Sequence, residues 1–195
     1  MRAKPQSDKP APDEAALRDA ALAHLARYAA TETGLRRVLD RRIERWSRSA
    51  TGGDPDAIAA QAASARQAAR QVVARLAAAG AVNDAAFAES RARSLTRAGR
   101  SRQAVAAHLA AKGVDRALAL AATPDDPETQ LAAALALARR RRIGPFRLGA
   151  EPDEAAKRRE LGMLARAGFP QPVAQRALEM QPEEAEVLVA ALRRG

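Results

Sequence analysis

Arginine is the residue type in this sequence whose number and spacing most directly suggest a chemical role. The chain of 195 residues carries 33 lysines and arginines against 23 acidic residues, a net charge of +10, and arginine far outnumbers lysine. The positive charge is concentrated in segments 31–50, 89–102 and 139–147, whereas the stretch 177–195 is acidic. Because guanidinium groups suit the geometry of phosphates and carboxylates, these three clusters predict contact with a polyanion.

Within the first two clusters most of the arginines fall at helical spacing, so that they would share one face of a helix. The residues that we expect to bind a partner are Arg37, Arg41, Arg45 and Arg48 in the first cluster, Arg91, Arg93, Arg97, Arg100 and Arg102 in the second, and Arg139, Arg140, Arg141 and Arg142 in the third. Solvated helix faces and helix ends that favour positive charge explain more than half of the arginines equally well. Both interpretations stay open at this point.

Residues that could carry out catalysis or bind a metal are scarce. The sequence has no cysteine and two isolated histidines, His24 and His108. It contains no glycine-rich phosphate loop and no nucleophile elbow, and its acidic pairs lie at predicted helix starts, where the helix dipole explains them. We therefore expect no enzyme activity, no catalytic residue, no metal and no cofactor.

Signals for membranes or secretion are also missing from the sequence. No apolar run approaches the roughly 20 residues that a membrane-spanning helix needs. The N-terminal residues lack the apolar core of a signal peptide. We expect a soluble, cytoplasmic protein with no membrane contact.

The elements that must position the arginines are predicted to be helices. Alanine is the commonest residue and aromatic residues make up 3% of the chain, a composition that favours an all-α fold with thin helical layers. Capping residues such as Thr31, Asn83 and Ser101, together with helix-ending glycines, indicate about ten helices, the first near 13–29. Tyr28 and Trp46 sit at the spacing of core residues.

Similar helix endings recur along the chain, at Gly80, Gly113 and Gly168, each four residues after a leucine. The last two lie 55 positions apart, which suits a repeated unit of three helices. We expect a flexible tail over 1–12, a first module over 13–82 with a loop insertion near 49–57, a second over 83–124, and a third with a C-terminal helix over 125–195. Chance similarity between alanine-rich helix ends is the alternative.

The segment 77–118 resembles the central signature of the RecX family, regulatory proteins of the RecA recombinase. The matching residues, in order, are Gly80, Val82, Asn83, Asp84, Phe87, Ala88, Arg91, Gly99, Leu109, Lys112, Gly113 and Val114. Segment 22–42 resembles the family's first module, and the resemblance covers about 15–180. Two features depart from the family pattern: the region 49–65 is longer, and Asn83 stands where an acidic residue is common.

The resemblance implies an elongated, curved tandem array of three-helix, helix-turn-helix-like modules. Proteins of this family lie in the groove of the RecA–single-stranded DNA filament and inhibit its ATPase, strand exchange, co-protease activity and extension. The implied roles are therefore modulation of homologous recombination, DNA repair and the SOS response. The implied partner is the RecA filament, with single- or double-stranded DNA as a possible further contact, and we expect the protein to be a monomer.

Two other functions stay open. The chain could be an independent helix-turn-helix DNA-binding regulator, whose arginines would bind phosphates directly. It could also be a helical scaffold with no link to nucleic acid. A protein dominated by DNA contacts should lose affinity steeply as salt rises, which separates the first alternative from filament binding.

Overall fold

The computed structural model describes residues 10–50, 54–149 and 152–194, and it is all-helical over these ranges, as predicted. Ten α-helices lie in them: α1 (Glu14–Leu25), α2 (Glu32–Ser49), α3 (Pro55–Ala78), α4 (Asp84–Arg97), α5 (Arg102–Ala111), α6 (Arg116–Ala121), α7 (Pro127–Arg141), α8 (Glu154–Arg166), α9 (Gln171–Glu179) and α10 (Pro182–Arg194). A short 3₁₀ turn, Gly144–Phe146, follows α7. The predicted tail and loop insertion fall partly on 1–9 and 51–53, outside the described residues.

Side-chain caps start the helices at the positions that the sequence indicates. The hydroxyl of Thr31 accepts a hydrogen bond from the backbone N–H of Gly34 at 2.8 Å, which begins α2. The amide oxygen of Asn83 accepts one from Ala86 at 2.9 Å at the start of α4, and Ser101 caps α5 in the same way. Each cap satisfies an N–H group of the first turn that has no partner within its own helix.

Five helices end in the same turn, in which one residue adopts the left-handed conformation. Glycine occupies this position after α3, α4, α5 and α8, as Gly80, Gly99, Gly113 and Gly168. After α7 the position belongs to Arg142, with φ of 55°. The backbone N–H of the next residue, Ile143, bonds to the carbonyl oxygen of Ala138 at 3.1 Å, and this closes the turn.

Packing of the described helices divides the chain into two compact units, residues 1–87 and 88–195, with the boundary inside α4. In the first unit α1, α2 and α3 pack against one another. Their core contains Leu17, Leu35, Leu39 and Ile43, all fully buried, against small alanine and valine side chains of α3. Leu35, Leu39 and Ile43 therefore lie on the inner face of α2.

The second unit is organised around α7, which packs against α8, α9 and α10. Every residue from Gln130 to Leu135 is buried, as are Leu137 and Ala138. A helix buried on nearly all sides must be apolar all round, which explains the leucine- and alanine-rich sequence of α7. Within the described ranges, no helix combines the length and the apolar character needed to cross a membrane.

The expectation for Tyr28 was wrong. α1 ends at Leu25 and not near residue 29, so helical spacing no longer fixes where Tyr28 points. Its side chain is 62% exposed and its ring lies 5.3 Å from that of His24. Trp46 is half-buried and packs against the core of the first unit.

Candidate polyanion-binding surfaces

The first cluster forms an exposed surface on α2, here called the α2 face. Its members, all on the side of the helix away from the core, are Arg37, Arg41, Arg45 and Arg48. Arg48 lies 3.3 Å from Glu44, one turn earlier. An exposed pair of this kind contributes about 0.3–0.5 kcal/mol, so it holds the guanidinium only weakly and leaves it accessible to a partner.

A groove of about 580 Å³ lies beside the α2 face, between the start of α1 and the end of α2. Trp46, Arg42 and Arg45 line one side, and Pro10 and Pro12 line the other. An indole edge next to two guanidinium groups can accept a flat or anionic group. Sequence reasoning placed Trp46 in the core alone, because the helical pattern does not show that its other edge borders a groove.

The second cluster forms an exposed surface on α4, here called the α4 face. It comprises Arg91, Arg93 and Arg97 of α4 together with Arg100, which follows the helix. Arg93 and Arg97 project from one side of α4 and Arg91 from another, because residues two apart in a helix do not face each other. Arg97 lies in the last turn, where positive charge is favoured. Arg93 lies 3.8 Å from Glu89, a weak exposed pair. Within the described part of the chain, the side chains of Arg97 and Arg100 form no hydrogen bond or ion pair. Their charges are therefore available to a partner.

Arg102 differs from the rest of the second cluster because it is tied into the fold. Its backbone N–H donates to the side-chain oxygen of Gln130 at 3.0 Å, and its Nε donates to the carbonyl oxygen of Thr123 at 2.7 Å. Arg93 and Arg97 stand with it around a groove of about 310 Å³. The Nη1 of Arg102 also lies 4.0 Å from Asp125, so this arginine joins the start of α5 to the connection before α7.

The third cluster is split between structural and exposed positions. Arg139 forms a 3.2 Å ion pair with Glu186 of α10, and the Nη1 of Arg140 donates to the carbonyl oxygen of Ala98 at 3.0 Å, which caps the end of α4. Arg141 and Arg142 are exposed and make no side-chain hydrogen bond or ion pair with the described residues. The two arginines that end α7 are therefore the accessible members.

A histidine is held within the α4 face. The Nε of Arg91 donates to Nε2 of His108 at 3.2 Å, a bond that the imidazole can accept only in its neutral form. Burial lowers the pKa of His108 from its ordinary value of 6.5, and the charges of Arg91, Lys112 and Arg100 lower it further. The positive potential of this surface thus suppresses protonation of the ring.

Sequence reasoning missed a fourth group of arginines, Arg147, Arg159 and Arg166, which line a concavity with the buried Glu160. Arg147 was counted in the third cluster but not as a binding residue. The signal that could have found the others is the i, i+7 spacing of Arg159 and Arg166 on α8, because this spacing places both on one helix face. Among the described residues, no group of histidine and acidic side chains is placed to hold a metal ion.

These surfaces define a class of protein: an all-helical molecule whose exposed guanidinium groups, carried on several helices, suit the binding of anionic partners. A model of the second three-helix domain of RecX matches residues 83–122, the segment that contains the α4 face. The regulatory protein RecX of Myxococcus xanthus is 36% identical over 168 residues, which cover 85% of this chain and 86% of that protein. The chain belongs to the RecX family of regulatory proteins.

Two further comparisons agree with this assignment. The regulatory protein RecX of Agrobacterium fabrum is 39% identical over 110 residues, covering 56% of this chain and 58% of that protein. The crystal structure of RecX from Lactobacillus salivarius superimposes with a TM-score of 0.60 and 16% identity, covering 89% of this chain and 97% of that one. At that identity the structural likeness supports the all-α fold alone. The sequence matches confirm the resemblance to the RecX family seen in 77–118.

Proposed function

We propose that this protein binds the RecA–single-stranded DNA filament in its groove and inhibits RecA. The observation that carries the proposal is the position of the α4 face inside the segment that matches the family's second three-helix domain. Two of its guanidinium groups, on Arg97 and Arg100, form no hydrogen bond or ion pair in the described part of the chain. A nucleoprotein filament supplies both acidic side chains and phosphates to such groups.

The proposed inhibition covers ATP hydrolysis, strand exchange, co-protease activity and filament extension, and through them recombination, DNA repair and the SOS response. Each arginine surface is a weak contact when taken alone. Surfaces joined in one chain bind together more tightly, because the first contact raises the effective concentration of the next. Because one chain carries all of these surfaces, we propose that the protein acts as a monomer. We also propose that it acts in the cytoplasm, with no catalytic step of its own.

We also propose that the chain is built from three modules, 13–82, 83–124 and 125–195, each contributing one arginine cluster. The α2 face belongs to the first, the α4 face to the second, and the end of α7 to the third. Under this arrangement one molecule touches several successive subunits of the filament. Removing one cluster should weaken inhibition and leave part of it in place.

The test is the RecA ATPase on single-stranded DNA, titrated with substoichiometric amounts of the protein. The variant R93E/R97E/R100E reverses the charge of the α4 face, and R66E/R70E/R116E makes the same total charge change at exposed arginines outside the three clusters. We expect the first variant to inhibit much less than wild type and the second to inhibit as wild type does, with equal helicity by circular dichroism. Inhibition that is unchanged in the first variant would remove the α4 face from the proposal.

The alternative of an independent DNA-binding regulator predicts a different result, which is measured as binding to free duplex DNA at increasing salt. Six or more phosphate contacts would make binding to free duplex DNA fall by roughly a thousandfold between about 50 and 200 mM salt. Tight, salt-sensitive binding to free duplex, with no effect of the wild-type protein on the ATPase of its cognate RecA, would favour that alternative and contradict filament inhibition.

A further inference from the structure

A concavity of about 370 Å³ on the outer side of α8 brings together three arginines from two parts of the second unit. Its lining consists of Arg147, Ala156, Arg159, Glu160, Met163 and Arg166. Arg147 comes from the segment after the 3₁₀ turn, and the other five share one face of α8. Sequence separation hides this group, because Arg147 belongs to the third cluster and Arg159 lies outside the three clusters.

The carboxylate of Glu160 fixes one side of the concavity. Although it is charged, Glu160 is 7% exposed, and burial of a carboxylate is tolerated only when it is paired. One of its oxygens forms an ion pair with Arg147, and the other accepts the backbone N–H of Gly144 at 3.1 Å. Both oxygens are engaged, so Glu160 orients Arg147 and holds the 3₁₀ turn against α8.

The other two guanidinium groups are uncommitted. Arg159 and Arg166 are exposed and form no hydrogen bond or ion pair with any residue in the described ranges. Gly162 makes room for Arg166, because a methyl group added to that glycine would lie 3.2 Å from Nη1 of Arg166. Three arginines against one carboxylate give the concavity a net charge of +2.

We propose that this concavity is a binding site for the phosphodiester backbone of a nucleic-acid strand. Arg159 and Arg166 lie seven residues apart on α8, about 10 Å along the helix axis, so the two uncommitted guanidinium groups can contact separate phosphates of one strand. The lining holds no aromatic ring on which a base could stack, and its apolar part is limited to Met163 and Ala156. The site therefore suits a contact that is independent of base sequence, since only the backbone is held.

This inference goes beyond the proposed function, because it assigns direct DNA contact to named residues and can be tested in the absence of RecA. The experiment is fluorescence anisotropy of a labelled oligothymidylate with the full-length protein. R159Q/R166Q removes the two uncommitted charges. K157Q/R158Q removes the same charge from exposed neighbours on α8 that do not line the concavity.

We expect R159Q/R166Q to bind at least about tenfold more weakly, because charge-assisted hydrogen bonds are among the stronger ones. The slope of log affinity against log salt should fall by about 1.4, the value for two contacts with a single strand. K157Q/R158Q should stay within about twofold of wild type, as an exposed charge away from the strand contributes little.

Three results would overturn the proposal. The first is a wild-type protein that does not bind the oligonucleotide. The second is equal weakening in R159Q/R166Q and K157Q/R158Q, which would show a general effect of charge. The third is a loss of binding to poly-L-glutamate in R159Q/R166Q while binding to the oligonucleotide is unchanged, because this would assign the concavity to an acidic protein surface.

Discussion

The carboxylate of Asp84 accepts a hydrogen bond from the backbone N–H of Glu32, with 2.9 Å between Oδ1 and the nitrogen. Glu32 begins α2 and Asp84 begins α4, so the first residue of one helix satisfies a free N–H group of another. The bond joins residues 52 positions apart and fixes the start of α4 against the three helices of the first unit.

Replacement of Asp84 should therefore destabilise the first unit. We expect D84A to lower the free energy of unfolding by about 0.5–2 kcal/mol, as for other lost capping bonds. D84N keeps an acceptor oxygen and should recover most of the loss. Urea unfolding followed by the fluorescence of Trp46, the single tryptophan of the chain and a residue of this unit, measures the effect. Identical midpoints for D84A and wild type would contradict it.

Arg142 carries backbone strain that glycine would relieve. It is the one non-glycine residue in the described part of the chain with positive φ, at a position where four other helix ends have glycine. A left-handed conformation costs a side-chain-bearing residue about 1–2 kcal/mol. R142G should therefore raise the free energy of unfolding by about 1 kcal/mol.

R141G is the matched control, because Arg141 is the last residue of α7 and has helical geometry. It removes the same charge but should destabilise by up to about 1 kcal/mol, the usual cost of glycine in a helix. Urea unfolding of both variants tests whether R142G raises and R141G lowers the free energy of unfolding. Destabilisation by R142G would mean that the arginine side chain contributes more than the strain costs.

Gly99 is required for a second reason besides its φ of 77°. A methyl group at this position would lie 2.7 Å from the backbone nitrogen of Leu137 in α7, which cannot move independently. G99A should cost about 1–2 kcal/mol in left-handed strain and about 1–3 kcal/mol more in overpacking. Chemical denaturation monitored by far-ultraviolet circular dichroism gives the total.

G80A separates the two contributions. Gly80 has a similar φ of 73°, but a methyl group there would meet no atom within 4 Å. We expect this variant to lose the strain component alone, about 1–2 kcal/mol. If G80A and G99A lower the free energy of unfolding equally, α7 moves away from the added methyl group at Gly99 without an energetic penalty.

Local signals explain why the helices could be predicted from sequence. Caps such as Thr31 and Asn83, and endings such as Gly80, act within one turn of the residues that carry them, so the pattern along the chain contains the information. The arginine face of α2 and the shared side of Arg93 and Arg97 on α4 follow from helical spacing in the same way. Tyr28 shows the limit, because no equally clear signal marks the end of α1 at Leu25.

The roles of individual arginines depend on contacts between distant segments and could not be predicted. Arg102 and Arg140 look like their neighbours in sequence, but the fold directs them to the carbonyl oxygens of Thr123 and Ala98. The concavity on α8 depends on the burial of Glu160 beneath Arg147, which helical spacing alone does not show. Charge patterns thus locate a basic surface, and packing decides which charges remain accessible.

His108 couples the charge of the α4 face to pH. Its pKa is lowered from 6.5 by burial and by three nearby positive charges, so the unfolded chain takes up a proton at this residue more readily than the folded one. Stability therefore rises with pH up to about 6.5 and is lost as pH falls toward the lower, folded pKa. Protonation would also break the bond that Arg91 donates to the ring.

A polyanion bound to the α4 face should raise the pKa of His108, because it offsets the positive charges that lower it. The chain has two histidines, so the H24Q variant leaves His108 as the one imidazole to titrate by NMR. We expect an upward shift when poly-L-glutamate or an oligonucleotide is added, and no shift in H24Q carrying R91Q and R100Q as well. A pKa that stays constant on addition of either polyanion would show that neither binds near Arg91 and Arg100.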